Sequence, residues 1–128
     1  MCVKESKRIV EREAKRYREH KAFIKGVEDA HGVVPDRYRE SVKWVLAVDY
    51  VLAYLHGVSE EKERFFRIYF GVDGERRRTD GNGMLALSFE FHTSASTLYA
   101  WRKELRTLLV IAAAQTGALH PYESGTNL

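Results

Sequence analysis

The segment from Met84 to Ala114 constrains the fold of this chain more than any other. It consists of two largely apolar stretches separated by the polar sequence His92-Thr93-Ser94. In the second stretch, apolar side chains recur at spacings of three and four residues, which mark one face of an α-helix. These side chains are Leu98, Trp101, Leu105, Leu108 and Ala112. Ser94 can cap this helix, because its hydroxyl can accept a hydrogen bond from an unpaired amide of the first turn. The pattern predicts two helices joined by a short turn, over about residues 84–115.

Most of the remaining chain also has a helical period, and it contains only two prolines. The sequence predicts a charged first helix over residues 4–29 and a second helix from about Pro35 to His56. The second helix is apolar almost all round, so we expect it to be buried on more than one side. Ser59 is expected to cap a third helix, Glu60 to Phe70, whose first acidic residues suit the positive end of the helix dipole.

The connections between these helices follow from glycine and polar residues. Four glycines among charged residues predict a flexible loop over residues 71–83, and Asp80-Gly81-Asn82-Gly83 within it predicts a turn. Residues 120–128 are rich in small and polar residues and are expected to form a flexible tail. The predicted fold class is therefore all-α. It comprises a long charged N-terminal helix over residues 1–31 and a small helical domain over residues 35–119.

The composition suits one modest core with a slightly basic surface. The chain has 128 residues, of which 45% are hydrophobic, and its net charge of +3 is compatible with a polyanionic partner. A lone cysteine, Cys2, offers neither a disulfide nor a zinc cluster, and the charged N-terminus does not resemble a signal peptide. The longest apolar run, Trp44 to Leu55, is too short to span a bilayer. We therefore expect a cytoplasmic protein with no membrane partner.

No set of residues predicts catalysis or metal binding. The five histidines share no ligand spacing. Asp49 lies in an apolar helix without a histidine or a second carboxylate nearby in sequence, so an interhelical hydrogen bond or an exposed helix edge is the better interpretation. We expect no enzymatic activity, no metal and no cofactor.

The residues that lie off the apolar stripe of the last helix form a small, hydroxylated and basic face. They are Ala95, Ser96, Tyr99, Arg102, Lys103 and Arg106. A thin helix end of this kind can enter a groove of DNA, with cations further along to meet phosphates. The pattern therefore favours a DNA-binding helix-turn-helix over a plain helical bundle.

Two segments resemble known transcription regulators. Val51-Leu52-Ala53-Tyr54-Leu55 and the acidic-basic helix of residues 60–71 resemble the first half of a sigma-factor region 4 domain. Residues 94–105 are similar to the S-x-x-T-x-Y-x-W-R-K-x signature of phage late-gene regulators of the RinA and ArpU type, and Ala113 to Gly117 are similar to the A-x-x-x-G ending of that family. The resemblance implies a sigma region 4-like helix-turn-helix in a phage or prophage regulator that activates late genes.

The resemblance also implies a role for each residue around the turn. Ser94 would cap a recognition helix over about residues 95–115. The residues facing bases in the major groove would be Ala95, Ser96, Tyr99 and Ala100. The residues bordering them and contacting phosphates would be Thr97, Arg102, Lys103 and Arg106. The core residues would be Leu98, Trp101 and Leu105. Double-stranded DNA is the implied partner, and RNA polymerase is a further one.

Several alternatives remain open. Arg76, Arg77 and Arg78 are as compatible with phosphate contacts as with plain solvation. The mixed charges of the N-terminal helix favour a solvated surface or a dimerisation arm over direct DNA contact. The apolar surface of Pro35 to His56 suits a homodimer or packing within one chain. A small terminase-like DNA-packaging component and a helical protein-interaction module without DNA binding are the alternative functions.

Overall fold

The computed structural model of the chain describes residues 3–74, 77 and 79–120. Over these residues the protein is all-α, as predicted, and has no β-strand. The helices are α1 (Val3–Ala14), α2 (Tyr17–Ala30), α3 (Asp36–Val58), α4 (Glu60–Phe70), α5 (Gly81–Glu90) and α6 (Ala95–Thr116). None of these described helices is both long and apolar enough to cross a bilayer.

The long helices α3 and α6 form the centre of the bundle and pack against each other. α1 lies against α6, α2 lies against α3, and α4 and α5 complete the bundle around one end. The largest fully buried side chains come from α3 to α6, apart from the smaller Val10 of α1. They are Leu55, Phe65, Phe66, Phe70, Met84, Leu87, Leu98, Leu105 and Leu109. The core therefore includes one face of α6 along most of its length.

The single N-terminal helix predicted over residues 4–29 is wrong, because the chain bends between α1 and α2. At the bend the amide of Arg16 donates to the carbonyl of Glu13 at 3.0 Å, an i to i−3 bond that tightens the turn. Ala14 and Tyr17, on either side of the bend, are both buried in the common core. The bend allows α1 to pack on α6 while α2 packs on α3.

A buried polar cluster crosses this bend. Nε2 of His20 lies 2.8 Å from Oε1 of Glu13, and its Nδ1 lies 2.9 Å from the hydroxyl of Ser41. The three side chains come from α1, α2 and α3, and all three residues are buried. The hydrogen bond from His20 lowers the pKa of the Glu13 carboxyl, with further help from Arg12 and Arg16, against the opposing effect of burial. The cluster therefore links the first three helices at the bend.

Both predicted interpretations of Asp49 hold, because the residue is exposed on α3 and also forms an interhelical hydrogen bond. Its carboxylate accepts a hydrogen bond from the hydroxyl of Tyr17 at 2.7 Å, so that it links α3 to α2. Burial raises the pKa of the Tyr17 hydroxyl well above its ordinary value, and the bond to Asp49 acts in the same direction. The interhelical hydrogen bond is confirmed.

The cap of α4 is also confirmed, whereas the predicted loop over residues 71–83 is wrong at its end. The hydroxyl of Ser59 accepts from the amide of Lys62 at 3.2 Å. Residues 81–83 are not a turn but the start of α5, because the carboxylate of Asp80 caps them by accepting from the amide of Gly83 at 2.8 Å. The predicted tail falls largely on residues 121–128, which lie outside the described residues.

Candidate nucleic-acid interface

Two helices joined by a short turn, α5 and α6, carry the predicted site. The end of α5 is closed by bonds from the amides of Phe91 and Thr93 to the carbonyls of Leu87 and Ser88, at 2.8 Å and 3.0 Å. His92 takes a left-handed conformation, with φ of 52°, which turns the chain sharply. The predicted pair of helices with a short polar turn is therefore present.

Ser94 caps α6 as predicted. Its side-chain oxygen accepts a hydrogen bond from the amide of Thr97 at 3.1 Å, and the two hydroxyls are 2.9 Å apart. The remaining unpaired amides at this end of α6 give it a partial positive charge. The first turn of α6 contains no acidic residue that would neutralise that charge.

The first three turns of α6 divide into a buried and an exposed side. Leu98 and Leu105 are fully buried, as predicted, and Trp101 is half-buried against Phe65 and Phe91. The exposed side has small, hydroxylated or basic side chains, with Ala95 and Thr97 half-buried at its edge. Apart from Glu104, which is also exposed, the exposed residues are Ser96, Tyr99 (37% exposed), Ala100 and Lys103. We call these four residues the α6 face.

Lys103 and Arg102 are neighbours in sequence but lie in different surroundings. Lys103 is exposed and forms no ion pair with a described residue. Arg102 is half-buried at the edge of the α6 face, with its guanidinium carbon 5.1 Å from the centroid of the Tyr99 ring. Its Nε is buried and has no hydrogen-bond partner among the described residues. The Arg102 guanidinium therefore lies over Tyr99 and holds a positive charge beside the face.

Arg106, predicted to contact phosphate, is engaged within the protein. Its Nε lies 2.6 Å from Oε1 of Glu11 on α1, and the Tyr69 hydroxyl donates to the same oxygen at 3.1 Å. Lys15 completes the cluster, 3.7 Å from the other oxygen of Glu11. Burial and then the charge of Glu11 raise the pKa of Tyr69, while Arg102 acts in the opposite sense. The side chain of Arg106 thus joins α1, α4 and α6.

The three consecutive arginines of the predicted loop are described only in part. Arg77 forms an ion pair with Glu90 in the last turn of α5. Arg76 and Arg78 lie outside the described residues. Arg77, the one described residue of the three arginines, therefore has an intramolecular partner.

Sequence reasoning missed Arg64. This exposed side chain projects from α4, with its guanidinium carbon 4.0 Å from the centroid of Phe91 at the start of the turn. On the same helix, Lys62 pairs with Glu104 of α6 at 2.8 Å, and this ion pair offsets the negative charge of the one acidic residue in the α6 sequence. No local pattern reveals this placement, because the α4 and α5 segments are separated by a loop. Arg64 therefore lies beside the turn, at Phe91, and Arg102 lies beside the α6 face, at Tyr99.

The described residues contain no group of three or more histidine, cysteine or acidic side chains placed to hold a metal ion. Comparison with known protein families, with curated proteins and with solved structures finds no match to this chain.

Proposed function

We propose that this protein binds double-stranded DNA through the α6 face and acts as a transcription regulator of the phage or prophage type that the sequence resembles. The observation that supports this most is the Ser94-capped end of α6. It carries small and hydroxylated side chains on its exposed side, a free lysine in its third turn and no acidic residue in its first. A helix end of this shape and charge fits the major groove.

The electrostatics of the helix end favour a phosphate backbone as its partner. Unpaired amides at the N-terminus of a helix attract anions, and Lys103 lies about two turns further along the same face. Arg102 adds positive charge beside the α6 face, and Arg64 adds positive charge beside the turn. Few cations are involved, so we expect modest affinity with a clear dependence on salt.

The geometry divides the predicted site residues into three roles. Ser96, Tyr99 and Ala100 would approach base edges, where the small side chains permit close contact. Lys103 and Arg102 would contact phosphates. Arg106 would support the helix from behind through Glu11 rather than contact DNA, since its guanidinium is already paired.

The test is fluorescence anisotropy with labelled duplex DNA at low and moderate salt. Lys103→Ala is expected to weaken binding at low salt and to reduce the slope of log affinity against log salt by about one. Lys25→Ala is the matched control, because Lys25 is an exposed lysine on α2 and its loss changes the net charge equally. Equal losses in both variants, or no binding by folded wild type at low salt, would overturn the proposal.

A second candidate function is a protein-interaction module, favoured by two exposed apolar side chains on α5. Leu85 is 51% exposed and Phe89 is 73% exposed. They lie one helical turn apart on α5, near its connection to α6. Such a pair suits a contact with another protein, such as RNA polymerase. This function predicts that Phe89→Ser abolishes capture of polymerase by the protein while DNA binding is unchanged. Polymerase capture without any DNA binding would make it the better proposal.

A further inference from the structure

An exposed apolar stripe runs along α3 on the side away from the core. It consists of Leu46, Tyr50, Tyr54 and Val58, at intervals of four residues, and these side chains are 42–59% exposed. No lysine or arginine occurs between Lys43 and Lys62, although 30% of the chain is charged. The one acidic residue within this span, Asp49, is exposed and accepts a hydrogen bond from Tyr17. An exposed apolar patch bordered by polar residues marks an interaction site.

The stripe continues onto α6. Tyr50 and Tyr54 line a shallow groove together with Leu108 and Ile111, and Ile111 is 51% exposed. The sequence of α6 has no charged residue after Arg106. One continuous apolar surface therefore covers the C-terminal half of α3 and the adjoining half of α6, and we call it the α3–α6 surface.

We propose that the α3–α6 surface binds a second copy of this chain in an antiparallel, two-fold arrangement. The stripe is self-complementary in an antiparallel arrangement. When the two-fold axis passes at the level of residue 52, Tyr50 of one copy faces Tyr54 of the other, and Leu46 faces Val58. A symmetric dimer requires this kind of self-complementarity. Side chains spaced by four residues are also the ridges that interlock in the commonest packing of two helices.

The small residues on α3 and the exposed apolar area of the α3–α6 surface also favour a second copy of the chain as the partner. Ala53 and Gly57 lie on the exposed side of α3, and a Cβ added at Gly57 would meet no atom within 4 Å, so a second helix can approach closely. The exposed parts of the four stripe side chains and Ile111 come to about 500 Å² per copy. Two copies would bury about 1,000 Å² from these side chains alone, which reaches the lower bound for a specific interface.

The dimer goes beyond the proposed DNA binding and does not depend on it. Ser96 and Ile111 are 15 residues apart on α6, which corresponds to about 22 Å along the helix axis. The α6 face and the α3–α6 surface therefore use opposite halves of one helix. A dimer would leave both copies of the α6 face open.

The first test is the mass of the full chain in solution by sedimentation equilibrium over a concentration series. Wild type is expected to approach twice 14.8 kDa. Tyr54→Lys is expected to weaken the dimer on the order of a hundredfold, since a two-fold interface loses the same contact twice. Phe89→Lys, which changes a more exposed aromatic side chain on α5, is the control and should remain dimeric. A monomeric wild type at every concentration, or equal dimerisation of the Tyr54→Lys variant, would overturn the proposal.

The second test checks the antiparallel register. It detects a contact directly and does not rely on a variant that weakens the dimer or the fold. In a Cys2→Ser background, the double variant Leu46→Cys/Val58→Cys should form covalent dimers with a short bis-maleimide crosslinker. Neither single variant should form covalent dimers. In the proposed dimer, the two copies of residue 46 would lie about 18 Å apart along the axis of α3, and so would the two copies of residue 58. Efficient crosslinking of the single variants would indicate a parallel arrangement and contradict the proposed register.

Discussion

The Nε atom of Arg106 lies 2.6 Å from Oε1 of Glu11, so a side chain in the middle of α6 is tied to the first helix of the chain. The two residues are 95 positions apart in sequence. Their side chains are only 25% and 20% exposed, which places the pair at the edge of the core rather than in open solvent. The position of α6 relative to the rest of the bundle therefore depends on an ion pair beside the proposed DNA-binding face.

Arg106→Ala is expected to lower the free energy of unfolding by about 1–2 kcal/mol, because it leaves a half-buried carboxylate without its main partner. Urea denaturation measures this loss. DNA affinity of the folded variant should stay within about threefold of wild type, since Arg106 is not expected to contact phosphate. Glu11→Gln provides the partner variant of a double-mutant cycle. A coupling energy near zero between the two positions would show that the pair does not stabilise the fold.

Ser94→Ala is expected to destabilise the protein by about 1 kcal/mol, because the amide of Thr97 loses its side-chain acceptor at the end of α6. Ser96→Ala is the matched control. It removes the same hydroxyl from the same turn, but Ser96 is exposed and caps nothing. Thermal unfolding of the two variants separates the effects. Equal midpoints for both would contradict the role of Ser94 as the cap.

Tyr99→Ala is expected to change which duplex sequences are preferred more than it changes overall affinity. Tyr99 lies on the α6 face, where its ring is the largest exposed side chain and is held by the Arg102 guanidinium. It therefore supplies shape at the base edges, whereas the phosphate contacts of Lys103 remain. Selection from a randomised duplex library, followed by sequencing, compares the preferences of wild type and variant. Identical preferences would remove Tyr99 from the base-contacting set.

The sequence predicted those features of the fold that depend on contacts between residues close together in the chain. The caps Ser59 and Ser94 were predictable because each serves an amide three residues away. The bend between α1 and α2 was not, since the charged pattern of residues 4–29 suits one helix and the bend is set by packing on two different partners. The pairing of Arg106 depends likewise on a residue at the other end of the chain.

The residues of the candidate site also divide into those predictable from local sequence and those placed by contacts between distant segments. Exposure of Ser96, Tyr99 and Lys103 followed from the helical period alone, because these residues lie opposite the buried stripe. The placement of Arg64 against Phe91 depends on how α4 packs at the turn, and no spacing in the sequence encodes that distance.

The cluster of Glu13, His20 and Ser41 predicts loss of stability in acid. The pKa of Glu13 is held below its ordinary value of 4.5 in the folded protein, chiefly by the hydrogen bond from His20. A carboxyl group with a lowered folded pKa stabilises the fold fully above its unfolded value, and this contribution is lost as the pH falls through the folded pKa. Glu13→Gln should therefore cost about 2 kcal/mol near neutral pH and progressively less below pH 4.5. Urea denaturation of wild type and variant between neutral and acidic pH measures the difference. If the two curves stayed parallel below that value, ionisation of Glu13 would not be the source of the stabilisation, and packing of the side chain would explain the loss instead.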